Sequence, residues 1–265
     1  MKNPLILVTN DDGIESPGLL AAARAVAPIG TVVIAAPTTQ QTARGRSLVG
    51  DRSDWFHPVE LLSGIEAFHL DASPALVVRH ALSVLFDGKT PDLVVSGINY
   101  GENLGTNITI SGTVGAAFQA AAAGIPSIAV SRQTDIEHHY SYSDLDWTDA
   151  ERIARKYAEK LLSLTAEKPL EEFSFDVLKI DVPAICPPGT EERITSLSRT
   201  SYFHSTISKP HRELRLSEAK LTINPDREAL DPQDDIYAVA VDGVVSITPL
   251  SLNCSATIDP AHLQA

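Results

Sequence analysis

The sequence predicts an α/β protein: a doubly wound, mostly parallel sheet, Rossmann-like and three-layered, with a C-terminal β-rich extended arm. Two observations carry this. Through the first two-thirds of the chain, short aliphatic runs alternate with Ala- and Leu-rich helical stretches. Several of those runs are apolar at every position instead of every second one, as in strands buried on both faces.

Leu5-Ile6-Leu7-Val8 is the first such run, ended by Thr9-Asn10-Asp11-Asp12-Gly13. Pro17 then opens a helix over 18–27, with proline in its first turn. Residues 31–36 form the next strand, stopped by Pro37, and Pro74 starts a helix to Phe86. Leu93-Val94-Val95 is a third buried strand, 114–123 a small-residue helix, and 127–130 a fourth strand. The polar, aromatic stretch 133–147 has no period and reads as a long loop. An amphipathic helix over 148–164 follows, with Thr148 as N-cap and Glu151 three residues on. Residues 177–182 supply one more core strand. Residues 192–235, punctuated by Pro210, Pro225 and Pro232, have too few consecutive apolar positions for a core and read as an arm or hairpin. Residues 237–248 read as paired strands turning at Asp242-Gly243. The expected organisation is a core over 1–191, an oligomerisation arm over 192–235, and C-terminal strands and tail over 236–265.

Composition narrows the function. Of the 265 residues, 43% are apolar and 21% charged, near globular averages, which excludes disordered and collagen-like chains. A net charge of −13 and a pI near 5.0 repel phosphate backbones and argue against a nucleic-acid partner. Small anionic ligands stay compatible, because a bound cation and backbone N–H groups reverse the local field. No stretch approaches the roughly 20 apolar residues of a membrane span. Cys186 and Cys254, without a neighbouring Cys or His, read as free thiols in a reduced compartment, so a cytoplasmic protein is expected.

Four segments carry candidate chemistry. Asp11 and Asp12 directly follow the first strand, and two adjacent carboxylates repel unless a hard divalent cation such as Mg²⁺ or Mn²⁺ joins them. As plain structure, Asn-Asp-Asp-Gly is also good turn chemistry. Ser96-Gly97-Ile98-Asn99-Tyr100-Gly101-Glu102-Asn103-Leu104-Gly105-Thr106-Asn107 follows another buried strand. Its asparagines offer amide oxygens to a cation or N–H groups to an oxyanion. Ser111-Gly112-Thr113 opens a helix and suits an anion, although ordinary capping explains it equally well. Thr38 to Ser47, with Arg44 and Arg46, brings hydroxyls, amides and guanidinium groups to the same sheet edge.

Together these segments resemble the SurE family, the metal-dependent 5′/3′-nucleotidases of the stationary-phase survival protein E type. The resemblance rests on Val8-Thr9-Asn10-Asp11-Asp12-Gly13 with Pro17-Gly18, on Ser96 to Gly105, on Ser111-Gly112-Thr113-Val114-Gly115-Ala116-Ala117, and on Ser246-Ile247-Thr248-Pro249-Leu250. It implies a phosphomonoesterase acting on nucleoside 5′- and 3′-monophosphates, with one divalent cation per subunit on Asp11, Asp12, Thr42 and Asn99. Asn103, Ser111, Gly112 and Thr113 would hold phosphate oxygens, with Asp11, Asp12 and Asn103 catalytic. Which group is base or nucleophile stays open. The family's serine, followed by glycine, is replaced here by Thr42-Ala43, and its Gly-Thr-Pro-Ala-Asp by Ala72-Ser73-Pro74-Ala75-Leu76. The resemblance also implies a homodimer or homotetramer built through the C-terminal arm. His138, His139, Tyr140 and Tyr142 are candidates for stacking on a base.

Two rival readings stand beside this one. A phosphoacceptor receiver domain also carries paired acids after its first strand, but it needs a third-strand Asp and a later strand-end Lys; Asp51 and Asp54 follow no apolar run, and no Lys occurs between Lys89 and Lys156. A nucleotide-binding protein without catalysis, on the same fold, is the alternative that the sequence leaves in place.

Overall fold

The computed structural model describes residues 3–136, 139, 142–223, 225–256 and 259. Strand β1 (Leu5–Thr9) lies at the centre of the main sheet. On one side it pairs in parallel with β2 (Thr31–Pro37), and on the other with β5 (Leu93–Tyr100). Beyond β2 come β4 (Glu66–Leu70), parallel, and the short edge strand β3 (His57–Val59), antiparallel. Beyond β5 come β6 (Ser127–Arg132) and β7 (Val177–Val182), both parallel. Strand β11 (Val245–Leu250) then runs antiparallel to β7, and β8 (Glu192–Ile194) is parallel to β11 at the far edge. The order of the nine strands is β3-β4-β2-β1-β5-β6-β7-β11-β8. It reverses direction between β1 and β5, so a crevice opens there at the carboxyl ends of the strands.

Helices cover both faces. On one side, α1 (Pro17–Val26) and α4 (Thr148–Glu167) pack over Ile6, Val8, Val95, Ile128 and Ile180. On the other, α2 (Pro74–Val84) and α3 (Gly112–Ala121) cover Leu7, Val33 and Val94. Helix α3 is built almost wholly of small residues, which lets it lie close against the sheet. Residues 203–206 (β9) and 220–223 (β10) pair as a separate antiparallel ribbon, so the expected α/β core carries a β-rich arm.

Three expectations change. Residues 237–248 are not a hairpin: Tyr237–Val241 is a π-helical turn, and only Val245–Leu250 is a strand. The reason is packing, since Ile236 and Val239, three residues apart, both enter a small core with Leu104 and Tyr202. A strand would send that pair to opposite faces. Residues 192–194 belong to the main sheet as β8 instead of to the protruding ribbon. At α4 the cap is not Thr148; the Asp146 carboxylate accepts the Thr148 N–H at 2.9 Å.

Leu19 of α1 is fully buried in the larger core. Leu19→Ala is expected to lower unfolding stability by about 2–5 kcal/mol in urea titration, with the slope unchanged. A loss below about 1 kcal/mol would show that α1 is not packed on the sheet as described.

Candidate active site

The Asp11–Asp12 turn follows β1 and is locked by its own side chains. Asn10 closes an Asx-type loop: its Nδ2 donates to the Gly13 carbonyl at 3.0 Å and its Oδ1 accepts the Gly13 N–H at 3.3 Å. The Asp11 carbonyl accepts from Gln41 N–H at 2.7 Å, and the Asp12 carbonyl from the Tyr142 hydroxyl at 2.6 Å. With the backbone tied on both sides, the two carboxylates are fixed in direction.

Both are buried, Asp11 at 7% and Asp12 at 3% exposure. The Thr113 hydroxyl donates to Asp11 Oδ1. Asp12 Oδ2 accepts the Tyr100 N–H at 3.1 Å, and Gln40 Nε2 reaches its Oδ1 at 3.3 Å. The described ion pairs all lie elsewhere. Burial is the largest influence on each group: it pushes Asp11 up to about 6 against the Thr113 hydrogen bond. Asp12 is pushed well above the carboxylate range by burial and then by the charge of Asp11. Among the described residues no ion pair offsets these two buried acids, and a divalent cation is the kind of charge that would.

They face a cavity of about 290 Å³ lined by Gln40, Thr42, Asn99, Asn103, Ser111 and His139, among others. Asn99 is aimed by its own loop, with Nδ2 donating to the Gly101 carbonyl at 2.7 Å. That turns the amide nitrogen inward to the loop and leaves the amide oxygen as the group available to a cation. Gly97, at φ 125°, passes so close to β6 that a Cβ there would sit 2.1 Å from the Val130 carbonyl oxygen. Among the described residues no cluster of three or more His, Cys, Asp or Glu side chains could hold a metal. A cation here would therefore rest on two carboxylates completed by neutral oxygens from Thr42 and Asn99. Such a set suits a hard ion.

Helix α3 begins at the same wall. Ser111 caps it, its hydroxyl accepting the Val114 N–H at 3.1 Å, and also lines the cavity. Gly112 is a close-approach glycine: a Cβ would lie 2.7 Å from Asp11 Oδ2. Thr113 is fully buried behind Asp11. The structure thus gathers Asp11, Asp12, Thr42, Asn99, Asn103 and Ser111 on one cavity, with Gly112 and Thr113 as the backing of Asp11. Arg44 and Arg46 are exposed, and Arg46 turns instead to Gln119 at 3.1 Å. Ala43, where the resemblance has glycine, takes the left-handed conformation at φ 59°.

Several participants were not evident in the sequence. Gln40 links Asp12 to the His139 carbonyl at 2.8 Å. Tyr142, a candidate for stacking, uses its hydroxyl to hold the Asp12 backbone, with its ring beside Tyr100 at 5.4 Å. Phe203 and Leu221 of the arm line the cavity, with Phe203 edge-on to His139 at 5.5 Å. His138 and Tyr140 lie outside the described residues. Asn107 carries a signal that was legible only as loop chemistry: its Oδ1 accepts from Tyr202 N–H at 2.7 Å and Phe203 N–H at 3.1 Å, tying the arm down.

The family model described as Survival protein SurE matches residues 6–204. The chain belongs to the SurE family. It is 34% identical over 255 residues to a Thermococcus kodakarensis protein named 5′-nucleotidase SurE, covering 96% of this chain and 95% of that one. The protein of the same name from Methanothermobacter thermautotrophicus is 40% identical over 201 residues, 74% of each chain. The crystal structure of a SurE protein from Aquifex aeolicus matches with a TM-score of 0.72 at 26% identity, covering 95% of each chain. The paired acids, the Ser96–Gly105 loop and the start of α3 all fall inside the matched region. Among the described residues, no helix of this SurE chain is long and apolar enough to cross a membrane.

The raised acids make a pH prediction. A carboxyl whose folded pKa exceeds its unfolded value of about 4 stabilises the fold at low pH, and this contribution is lost as pH rises through the folded value. For Asp11 that value is about 6. In cation-free buffer the midpoint of unfolding is expected to fall from about pH 4 to about pH 7 more steeply in the native protein than in Asp12→Asn. Added Mn²⁺ or Mg²⁺ is expected to restore it. Parallel profiles for the two proteins would show that the acid pair carries no such strain.

Proposed function

We propose that this SurE chain is a divalent-cation-dependent nucleotidase, hydrolysing nucleoside 5′-monophosphates, and 3′-monophosphates, to nucleoside and phosphate. The observation that carries the reading is the buried, unneutralised Asp11–Asp12 pair facing a cavity lined by amide and hydroxyl groups. Relatives that match nearly the whole chain bear the name 5′-nucleotidase, which supports the substrate class.

Asp11, Asp12, Thr42 and Asn99 would hold one Mg²⁺ or Mn²⁺. When bound, the ion neutralises charge on the phosphoryl group and makes water a better nucleophile. The protein supplies the positioning. Asn103 and Ser111 stand at the cavity wall to donate to phosphoryl oxygens, and the N-terminal end of the α3 dipole adds positive potential there. Gln40, Tyr100 N–H and Thr113 hold the carboxylates so that they do not reorganise as charge moves. The mouth formed by His139, Phe203 and Leu221 presents apolar and aromatic surface beside the polar floor, as a nucleoside requires.

The reading extends to assembly and location. The protein works as a homodimer or homotetramer through the arm, where Ile207, Leu216 and Leu221 stand exposed at 42%, 95% and 41% and suit burial by a partner. It works in the cytoplasm, in keeping with Cys186 and Cys254 as free thiols.

Phosphate release from a panel of nucleoside monophosphates, with Mn²⁺ or Mg²⁺ and then with EDTA, tests this. Asp12→Asn is expected to lower kcat/KM by about 100-fold or more, and EDTA to abolish release. Absence of release with either metal from folded native protein would overturn the enzyme and leave a nucleotide-binding protein on this fold.

A further inference from the structure

The polar residues of β7 have no place in the chemistry described so far. Its odd-numbered inner positions are Lys179 and Asp181, both at 0% exposure, while Leu178, Ile180 and Val182 enter the core on the opposite face. Lysine is the largest fully buried side chain type in the described molecule, and a buried ammonium is expensive unless paired. Lys179 donates to Asp181 Oδ2 and, at 3.1 Å, to Asp235 Oδ2, and Asp235 is likewise at 0% exposure. Burial disfavours the charged ammonium, and the two carboxylates overcome it and hold Lys179 above its ordinary value.

The remaining acceptor positions of the two acids are taken by main-chain N–H groups. Asp181 Oδ1 accepts the Asn103 N–H at 2.8 Å, and Asp235 Oδ2 accepts the Gly105 N–H at 3.0 Å. Asp235 Oδ1 accepts the N–H groups of Ser198 at 3.0 Å and Ile236 at 2.9 Å, the two points between which the arm leaves and returns. The sheet register completes the row. Ser131 of β6 and Ser246 of β11 flank Asp181, and the Ser131 hydroxyl accepts from Asn103 Nδ2 at 2.8 Å. Asn103 is thus held at its main chain by Asp181 and at its side chain by the next strand.

We propose that the Lys179–Asp181–Asp235 cluster is a positioning device, fixing the Asn103–Gly105 segment against the catalytic cavity and tying it to the root of the arm. Lys179 joins two acids that would otherwise repel; Asp181 spends its other oxygen on Asn103, and Asp235 divides its contacts between Gly105 and the root of the arm. Asp181 and Asp235 are positioning residues acting through Asn103 and Gly105. The kinetic part of the proposal rests on the nucleotidase reading, and its structural part does not.

Two variants isolate the contact. Asp181→Ala and Asp181→Asn both leave Lys179 paired with Asp235, but only the asparagine keeps an acceptor for the Asn103 N–H. Asp181→Ala is expected to lower kcat/KM about 10-fold or more, mainly in kcat, and Asp181→Asn to recover most of it. In an Asn103→Ala background, Asp181→Ala is expected to cost less than about 3-fold further, because both act through one group. Fully additive losses would overturn the proposal. Amide hydrogen exchange on the same proteins gives a readout independent of turnover. Asp181→Ala is expected to lose protection at Asn103 with protection at β1 retained, and unchanged protection at Asn103 would overturn the proposal. If the native protein releases no phosphate, the nucleotidase reading fails and exchange alone decides the positioning claim. If Asp181→Ala does not fold, Asp235→Asn serves instead. Its single amide oxygen cannot serve Gly105 and the Ser198–Ile236 pair together, so protection is expected to fall at one of them, and its retention at all three would be the adverse result.

Discussion

Two neighbouring carboxylates withdrawn from water at the end of β1 set the terms for every loop on that edge of the sheet. An isolated buried acid takes up a proton, and two side by side cannot both ionise without help. The surrounding segments answer this with directed donors instead of with a lysine or arginine. The Gln40 amide comes from the connection after β2, and the Tyr100 N–H and Thr113 hydroxyl from the two ends of the connection between β5 and α3. The cavity is therefore a meeting point of three connections that the doubly wound topology brings together where β1 and β5 diverge.

A second layer of order stands behind the first. Ser96 Oγ donates to the Thr113 carbonyl at 2.7 Å, so the strand that ends in Asn99 also fixes the helix start that backs Asp11. Further along the sheet, Thr195, Ser246 and Thr248 bond one another at 2.8 and 2.9 Å beside the Lys179 row. Around β7 the sheet is thus apolar on its α1–α4 face, at Leu178, Ile180 and Val182, and polar on the other, at Lys179, Asp181, Ser246 and Thr248. Buried polar rows of this kind give direction more than net stability, because each member is satisfied in only one arrangement.

The central strands and both acid- and asparagine-bearing loops were legible because aliphatic runs ending in Asp, Asn and Gly have few other interpretations. The short strands β3 and β4 were not. His57–Val59 and Glu66–Leu70 alternate weakly; β4 gains its pairing from β2, a non-local neighbour, and β3 pairs only with β4. Residues 237–241 misled for a related reason: Tyr, Val and Val favour a strand, and the contact of Ile236 and Val239 with Leu104 and Tyr202 overrides that preference. At the site, ligand candidates could be named from side-chain type, whereas the supporting roles of Gln40, Tyr142 and Asn107 depend on which loops meet. The one legible sign of the buried row was a Lys and an Asp inside an otherwise aliphatic strand, at Val177–Val182.

Strand β11 lies between β7 and β8 in space but follows both in the chain. During synthesis, β7 emerges with its outer edge unpaired and stays so while the whole arm is made. β8 has no neighbour at all until Val245–Leu250 arrives between them. Asp235, which closes the charge row on Lys179, is also late. A nascent chain holding every catalytic candidate, from Asp11 to Ser111, thus still carries an open sheet edge and a Lys179 ammonium that has one of its two carboxylate partners. Such an edge readily accepts a strand from another molecule. The ribosome therefore releases Val245–Leu250 into a gap that has been waiting for it.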